Sequence, residues 1–371
     1  MKKRIMQMVL VTLGVVTFNL CSCQLNQETA TPLIPHHPNQ QGVSAPFAGF
    51  IGDWMLVGGG CNFPEIPAAE GGRKVYYSDL FACCMQGDSL SWNIHDKLPQ
   101  PIAYGTTVET AKGLICIGGM NEKTALTGVY RLQVDPQTAT ISIEQLPSLP
   151  ETMDNATATS IGSQLYVTGG NQGNGGRALY TLCIDKDTTW TKLADYPGAK
   201  RIQPVLLASD DTLFLFGGFE VDAVTKEAVI SSDYLTYSIE NGCWEEPQPI
   251  PVMGNGSRRA LVGAAGVRIN NLLVLAGGVN YSIFKAAVEG KAPADYMKRP
   301  AEWYQFSKDV LIYDLQKKDW KVIGNVNGFN KAGGSLLHHD NSLYMVCGES
   351  KPGIRTNEII AKSLKDLLVE K

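Results

Sequence analysis

The sequence predicts an all-β protein, a six-bladed β-propeller, and two observations carry that prediction. An apolar run that ends in two small residues, both glycine in five of the six copies, recurs along the 371 residues. Tryptophans and apolar-Pro pairs recur with a similar period. Repeats of roughly 40 to 50 residues are typical of propellers, in which each unit buries its apolar face against the next. We therefore expect one closed ring of repeats rather than two or three ordinary domains.

The repeated element is a short apolar strand followed by two residues that are both glycine in five of the copies. The six copies are Trp54–Gly59, Leu114–Gly119, Leu165–Gly170, Leu213–Gly218, Leu273–Gly278 and Leu343–Gly348. The pairs lie 48 to 70 residues apart, and only the sixth departs, with Cys347 in place of the first glycine. Glycine lets neighbouring backbones approach closely and adopts positive φ, so we interpret these pairs as structural.

Two further markers indicate the blade boundaries. A large ring near the end of a unit can fill the gap between blades, and proline favours the turn into the next strand. The markers are Trp92, Trp190, Trp244 and Trp320, and the pairs Leu98-Pro99, Leu149-Pro150, Tyr196-Pro197 and Ile250-Pro251. This pattern resembles the Kelch repeat. It predicts blades over residues 46–98, 102–148, 153–195, 201–248, 258–324 and 331–364.

Blade six is predicted to lack its outer strand. After Gly348 the sequence offers one further strand, at 358–361, and little strand character beyond it. At the other end of the chain, residues 27–34 run into Ile34-Pro35, another apolar-Pro pair. We expect this segment to supply the missing strand and close the ring, which leaves few exposed sheet edges.

The first 23 residues have the pattern of an export signal. Three basic residues at positions 2–4 precede an apolar run over 8–20 that is too short to span a membrane comfortably. The run ends at Leu20-Cys21-Ser22-Cys23, which resembles a bacterial lipobox with Cys23 as the lipidated residue. We expect an exported protein, in the periplasm or at the outer membrane as a lipoprotein. Cleavage of the signal without lipidation is the alternative.

Charge and cysteine content exclude other classes of protein. The 32 Lys and Arg against 36 Asp and Glu give a net charge of -4, which offers no basic footprint for nucleic acid. Nine cysteines, two of them in the signal, show no metal-ligand spacing. We expect neither a metal nor another cofactor, and we interpret most of the cysteines as core thiols. An exported protein can form a disulfide, but the sequence selects no pair.

Three long loops are predicted on one face of the propeller. Antiparallel strands bring every loop that follows a glycine pair to the same face. The long ones are 61–74 in blade one, 279–309 in blade five and 349–355 in blade six, and these blades are neighbours in a closed ring. We therefore expect the three loops to form one sector that carries the function on a rigid scaffold.

The blade-six loop places an acid and an arginine on either side of a predicted turn. Pro352-Gly353 favours a tight turn that folds the loop back. Glu349 and Arg355 can then face one pocket. The alternative is a solvated ion pair that contributes at most about 1 kcal/mol, and spacing alone does not separate the two interpretations.

Residues 346–356 resemble the Gly-Glu-x-Lys-Pro-Gly-x-Arg-Thr signature of the bacterial N-acetylneuraminate epimerases, also called sialic acid mutarotases. Further similarity lies at 276–284, 47–49 and 71–74. The resemblance implies an isomerase that interconverts the anomers of N-acetylneuraminate. It implies Glu349 as the catalytic acid or base and Arg355 as the partner of the substrate carboxylate. Blade six comes last in this chain, unlike the usual order in that family, so the chain resembles a cyclically permuted branch.

Other candidate substrate-binding residues are less specific. Arg201 and Arg259 begin inner strands near the predicted channel mouth, where they could bind an acidic sugar or pair with Asp or Glu across blades. Asn62 and Arg73 lie in the long blade-one loop. The blade-five loop is long enough to form a lid. Four of its aromatic residues are candidates, of which we expect at least half to pack in the core: Tyr281, Tyr296, Trp303 and Tyr304.

Two other functions are compatible with the fold. A copper oxidase would need several histidines near the axis, and the five in this chain form no obvious copper set. A propeller that binds glycans or a protein partner without catalysis is the stronger rival, because fold does not imply function. Glu349 beside Arg355 discriminates between binding and catalysis, since a binding module has no need of the acid.

Overall fold

Each predicted repeat forms one antiparallel β-sheet, and the six sheets are the blades of a β-propeller. The structure is a computed structural model that describes residues 34–87 and 90–368. Consecutive inner strands contact one another around the axis, and the inner strand of blade six contacts that of blade one. The ring is therefore closed, and the predicted fold class is confirmed.

The first three blades contain four strands each, which are named in order from the axis outwards. Those of blade one are Phe47–Ile51, Trp54–Gly58, Asp79–Cys84 and Trp92–Lys97. Those of blade two are Thr106–Thr110, Gly113–Ile117, Val129–Asp135 and Thr140–Gln145. Those of blade three are Thr157–Ile161, Gln164–Thr168, Leu179–Cys183 and Thr191–Lys192.

Blades four and five follow the same plan, and blade six has three strands within the described residues. Blade four contains Val205–Ala208, Thr212–Phe216, Asp233–Ser238 and Cys243–Trp244, with Gln248–Pro249 also paired to its third strand. Blade five contains Ala264–Ile269, Leu272–Gly277, Val310–Asp314 and Asp319–Ile323. Blade six contains Ser335–His339, Ser342–Val346 and Ile359–Ser363.

The strand predicted to complete blade six, at 27–34, lies outside the described residues except for Ile34. That side chain packs against a cluster that includes Val346 and Ile359 of blade six. The export signal and Cys23 also lie outside the described residues.

The hydrophobic core lies between the blades. Met55 of blade one and Val346 of blade six, for example, are fully buried in one cluster. Trp190 of blade three is buried against blade two, and its indole N–H donates to the Pro147 carbonyl at 2.8 Å. Burying a large apolar side chain contributes roughly 1.5–3 kcal/mol, so contacts between neighbouring blades hold the ring together.

A pair of residues with positive φ lies at the end of the second strand of each blade, as the glycine pairs predict; in blade five the first of the pair, Gly277, is still counted in the strand. In blade one these residues are Gly59 and Gly60, with φ of 66° and 84°. The sequence pattern instead assigned Gly58 and Gly59, but Gly58 lies within the strand and pairs with Leu80. In blade six, Cys347 adopts the same left-handed conformation with φ of 56°, so the departure in sequence does not change the backbone.

A ring of backbone hydrogen bonds surrounds the axis where the inner strands begin. We call it the axial ring, and its members have φ between 52° and 66°: Ala45, Tyr104, Asn155, Gln203, Gly263 and Gly333. Five of its N–H groups each donate to the carbonyl of a neighbouring member over 2.6–3.1 Å. Positive φ is uncommon for residues other than glycine, so the ring holds its four non-glycine members in a defined orientation.

Short hairpins and helices complete the structure. The hairpins are Cys61–Asn62 with Val75–Tyr76, Met153–Asp154 with Asn171–Gln172, Phe219–Val221 with Ala228–Ile230, and Glu349–Lys351 with Ile354–Arg355. The α-helices are Tyr281–Val288 and Leu364–Leu368, and the 3₁₀ turns are Ala68–Glu70, Tyr296–Lys298 and Ala301–Tyr304. Across 34–87 and 90–368, no helix is long and apolar enough to cross a membrane.

Candidate functional site

The axial ring surrounds one part of a central cavity of about 690 Å³. The inner strands form its wall, and the helix Tyr281–Val288 borders it together with Tyr296, Tyr304 and Glu349. Asn280 caps this helix, because its side chain accepts a hydrogen bond from the Ile283 N–H at 3.1 Å. Ligand sites are usually concave, with a few convergent polar groups, so this cavity is the candidate site.

The blade-six loop folds back as a hairpin at the edge of the cavity. Glu349–Lys351 pairs with Ile354–Arg355, and Glu349 lies directly opposite Arg355. The tight turn forms at Pro352 and Gly353, where Gly353 has φ of 81°. A side chain at Gly353 would also bring its Cβ within 2.7 Å of the Ala68 Cβ. Both the turn and the close approach therefore require glycine.

The three long loops meet around this hairpin, as predicted. Gly353 at its tip lies beside Ala68 of the blade-one loop and Met297 of the blade-five loop. Lys351 donates from Nζ to the Arg299 carbonyl of the blade-five loop at 2.7 Å. The hairpin is thus fixed on both sides by its neighbours, which limits the positions that its acid and its arginine can adopt.

Glu349 and Arg355 form a largely buried ion pair. Arg355 Nη2 lies 2.8 Å from Glu349 Oε1, and the side chains are 3% and 21% exposed respectively. The guanidinium also stacks over the Phe63 ring, with 4.7 Å to the centroid. This burial contradicts the alternative of a solvated pair.

Arg355 keeps unused hydrogen-bonding capacity. Its Nε and Nη1 are buried and have no hydrogen-bond partner among the described residues. Buried donors without partners are costly. Glu349 is among the residues that line the cavity and Arg355 is not, so the guanidinium is paired to a carboxylate that reaches the cavity wall.

Burial raises the pKa of Glu349 above the ordinary range of a glutamate, and the positive charges of Arg355 and Lys74 partly oppose that shift. A carboxyl group whose pKa moves toward neutral pH is suited to both accept and release a proton. The site therefore combines a carboxyl group suited to proton transfer with a buried guanidinium paired to it.

Sequence reasoning missed a second polar cluster at the cavity wall. Lys74 donates from Nζ to the Tyr104 hydroxyl at 2.8 Å, and the Cys61 thiol donates to the same hydroxyl at 3.4 Å. Tyr104 lines the cavity and belongs to the axial ring. Tyr104, Asn155 and Gln203 each lie two residues before an inner strand. An alignment of the six repeats would have shown that Tyr104 occupies this shared position at the cavity.

The structure does not bring Arg201 and Arg259 to the cavity. Arg201 is buried within blade four, where it pairs with Asp233 at 2.6 Å and donates to the Gly217 carbonyl at 2.9 Å. Arg259 is buried within blade five and pairs with Asp309 at 2.8 Å. Both guanidinium groups therefore pair with Asp side chains. Of the two interpretations left open by the sequence, the structure supports pairing with acids rather than binding of an acidic sugar.

Asn62 and Arg73 also lie outside the central cavity. Asn62 is buried, donates to the Gly42 carbonyl at 2.8 Å and accepts from the Tyr77 hydroxyl at 2.7 Å. These bonds hold the base of the blade-one loop. Arg73 is 76% exposed and pairs with Glu122 at a separate surface depression.

The aromatic residues of the blade-five loop divide between packing and lining the cavity. Tyr296 and Tyr304 line it, and the Tyr304 hydroxyl donates to the Tyr296 carbonyl. Trp303 packs edge-on against both tyrosines, and Tyr281 lies beneath the Arg258 guanidinium. These contacts give the loop its own small core. Within the described ranges, no group of three or more His, Cys, Asp or Glu side chains could hold a metal ion.

The fold and the site define a class: a β-propeller with a buried carboxylate–guanidinium pair where its long loops converge. A family model described as N-acetylneuraminate epimerase matches residues 146–370, which is more than half of the chain. The chain belongs to the N-acetylneuraminate epimerase family. The matched region contains Glu349 and Arg355.

Curated relatives and a solved structure show the same relationship. The chain is 32% identical over 226 residues to the N-acetylneuraminate epimerase of Salmonella enteritidis PT4, covering 58% of this chain and 57% of the relative. It is 30% identical over 248 residues to that of Haemophilus influenzae PittEE, covering 63% and 62%. The chain thus matches somewhat over half the length of these relatives.

The solved structure is titled "Structure of YjhT". It superposes with a TM-score of 0.62 at 16% identity, covering 90% of this chain and 97% of that one. At this identity the likeness shows the fold alone.

Proposed function

We propose that the protein is a mutarotase that interconverts the α and β anomers of N-acetylneuraminate. The observation that carries the proposal is the buried Glu349–Arg355 pair at the cavity, with two guanidinium nitrogens of Arg355 unpaired among the described residues. Relatives named N-acetylneuraminate epimerase support the choice of substrate.

Arg355 is assigned to the substrate carboxylate. A sialic acid carries a carboxylate on its anomeric carbon, and arginine is the side chain whose planar donors best match a carboxylate. Binding there would satisfy buried N–H groups that have no partner among the described residues. It would also hold the anomeric carbon next to the Glu349 carboxyl group.

Glu349 is assigned to proton transfer at the anomeric hydroxyl. Mutarotation opens the sugar ring by removing that proton and closes the ring again on the other face of the carbonyl. A positioned carboxylate contributes roughly 10²- to 10⁴-fold to such a transfer. The raised pKa of Glu349 brings it closer to neutral pH, where accepting and returning the proton are both accessible.

The direct test follows the α anomer of N-acetylneuraminate, released by a sialidase, as it equilibrates to the β anomer by proton NMR. Wild-type protein should exceed the spontaneous rate. Glu349→Gln, which keeps a hydrogen-bond acceptor for Arg355, should lower kcat by about 10²-fold or more in protein that remains folded. Arg355→Lys keeps the charge but loses the planar donor set, so it should mainly raise KM.

The matched control is Glu144→Gln. Glu144 lies on the exposed outer strand of blade two, where it pairs with Arg131, and its loss should leave the rate unchanged. A wild-type protein that binds the sugar without accelerating equilibration would overturn the proposal in favour of a non-catalytic glycan-binding propeller. Loss of folding in Glu349→Gln with full turnover in the folded remainder would make the pair structural.

We also propose, from the sequence pattern alone, that the protein is exported and carries a lipid on Cys23. The sugar substrate would then be met in the periplasm or at the outer membrane. The basic positions 2–4, the apolar run and the lipobox-like end support this proposal.

A further inference from the structure

We propose that Tyr104, oriented by Lys74, is a second catalytic residue, which exchanges a proton with the ring oxygen of the sugar while Glu349 exchanges one with the anomeric hydroxyl. The inference rests on the proposed function, because it assigns a role in that reaction. It is carried by a chain of contacts that links Lys74, Tyr104, Cys61, Ser44 and Glu349 across blades one, two and six.

The backbone of Tyr104 is held on both sides by the axial ring. Its N–H donates to the Ala45 carbonyl at 3.1 Å, and its own carbonyl accepts from the Asn155 N–H at 2.8 Å. Its φ of 60° is an uncommon value for a bulky residue. Such strained positions cluster at functional sites. The phenol is thus placed at the cavity wall by a rigid part of the fold and not by a mobile loop.

The Tyr104 hydroxyl accepts two hydrogen bonds and has its own proton to spare. Lys74 Nζ donates to it at 2.8 Å and the Cys61 thiol donates at 3.4 Å, which occupies both lone pairs. Lys74 also lies 4.7 Å from the centre of the Tyr104 ring. The Cys61 sulfur, whose own proton can instead go to the Ser44 carbonyl at 3.8 Å, is a weak acceptor near the phenolic proton, and an oxygen of a sugar in the cavity is a stronger one.

The phenol and Glu349 lie on the same part of the cavity wall. Ser44 Oγ is 3.4 Å from Glu349 Oε1 and 3.9 Å from Cys61 Sγ, and Cys61 in turn contacts Tyr104. Burial, Cys61 and the charge of Glu349 all raise the pKa of Tyr104. The phenol is therefore protonated in the resting protein, and the Lys74 ammonium can stabilise the phenolate as the proton leaves.

Ring opening transfers one proton to Glu349 and one proton from Tyr104. The anomeric O–H gives its proton to the Glu349 carboxylate, and the electron pair of that bond forms the C2 carbonyl. The bond between C2 and the ring oxygen breaks with its electron pair on oxygen. That oxygen takes the phenolic proton of Tyr104, which leaves a phenolate beside Lys74.

Ring closure reverses each transfer after the open chain has rotated about the bond between C2 and C3. The former ring hydroxyl returns its proton to Tyr104 and attacks the other face of the carbonyl. The carbonyl oxygen takes the proton held by Glu349. Both residues regain their starting states, and no other reactant is consumed.

The decisive variant is Tyr104→Phe, which keeps the aromatic ring and its place in the axial ring. It should lower kcat by about 10²-fold or more while KM changes little. Tyr76→Phe is the matched control, since the Tyr76 ring packs edge-on against Tyr104 at 6.5 Å and has no assigned role. The control should keep the wild-type rate.

Lys74 is tested as a positioning residue, with a readout that a structural role would not change. Lys74→Met should lower kcat and leave KM nearly unchanged, and its rate should vary with pH differently from wild type because the charge beside the phenol is lost. Lys74→Arg should restore most of the rate. This pair of variants keeps the proposal testable if Tyr104→Phe does not fold.

The outcomes separate this inference from the proposed function. If wild-type protein accelerates mutarotation and folded Tyr104→Phe is as fast, Tyr104 is not catalytic and only this inference fails. If wild type is active but Lys74→Met keeps both its rate and its pH profile, Lys74 has no part in orienting Tyr104. If wild type leaves the spontaneous rate unchanged, the proposed function and this inference fail together.

Discussion

Replacing Arg259 by methionine should destabilise the protein strongly. The Arg259 side chain is 1% exposed and its Nη2 lies 2.8 Å from Asp309 Oδ2. It also donates to the Pro251 carbonyl at 3.0 Å, the Val252 carbonyl at 3.3 Å and the Ser307 hydroxyl at 3.3 Å. Arg259→Met keeps much of the length of the side chain but leaves a largely buried carboxylate and three other acceptors without this donor. Breaking a buried ion pair in this way costs about 3–5 kcal/mol.

The assay is urea unfolding, with Arg268→Met as the matched control. Arg268 pairs with Asp210, whose side chain is 91% exposed, so the control should lose no more than about 1 kcal/mol. The folded fraction of Arg259→Met should keep the wild-type KM, because Arg259 does not line the cavity. Equal losses for the two variants would refute the reasoning, and a raised KM in folded Arg259→Met would show that the residue binds substrate.

The remaining predictions concern pH and localisation. Burial lowers the pKa of His37 to about 4, so the stability it contributes is present above its unfolded pKa near 6.5 and is lost as pH falls toward 4. Between pH 7 and pH 4, the free energy of unfolding measured in urea should therefore fall by about 3 kcal/mol less for His37→Phe than for wild type. Cys23→Ala should release the protein from the membrane fraction, and Cys21→Ala should not; release of neither would exclude lipidation.

The fold could be predicted because its determinants are local and repeated. Each glycine pair needs only its own positive φ and a close neighbouring backbone. Blade one shows the limit of this reasoning, because positions 58, 59 and 60 are all glycine. Only the pairing of Gly58 with Leu80 in the sheet shows that Gly59 and Gly60 form the turn. Cys347 shows the converse, since the surrounding structure imposes a left-handed conformation on a residue that does not favour it.

The site was predictable only where its residues are close in sequence. Glu349 and Arg355 lie on one short hairpin, so the Pro-Gly turn was enough to bring them together. Lys74 and Tyr104 come from different blades, and no local sequence pattern predicts the contact between them. Arg201 left two interpretations open because its partner, Asp233, begins the third strand of the blade, far along the chain, and only the folded sheet places the two side chains 2.6 Å apart.

The axial ring offers a position for redesign at Ala45, where a side chain already occupies the left-handed backbone. Its hydrogen bonds join main-chain atoms only, so a change of side chain does not remove them. At Gly333 an added Cβ would find no atom nearer than 3.8 Å but would be strained by a φ of 62°, and at Gly263 it would also meet the Ala332 Cβ at 3.3 Å. Ala45 lines the cavity, so a polar or charged side chain placed there would introduce new binding chemistry at a fixed distance from the axis without rebuilding a loop.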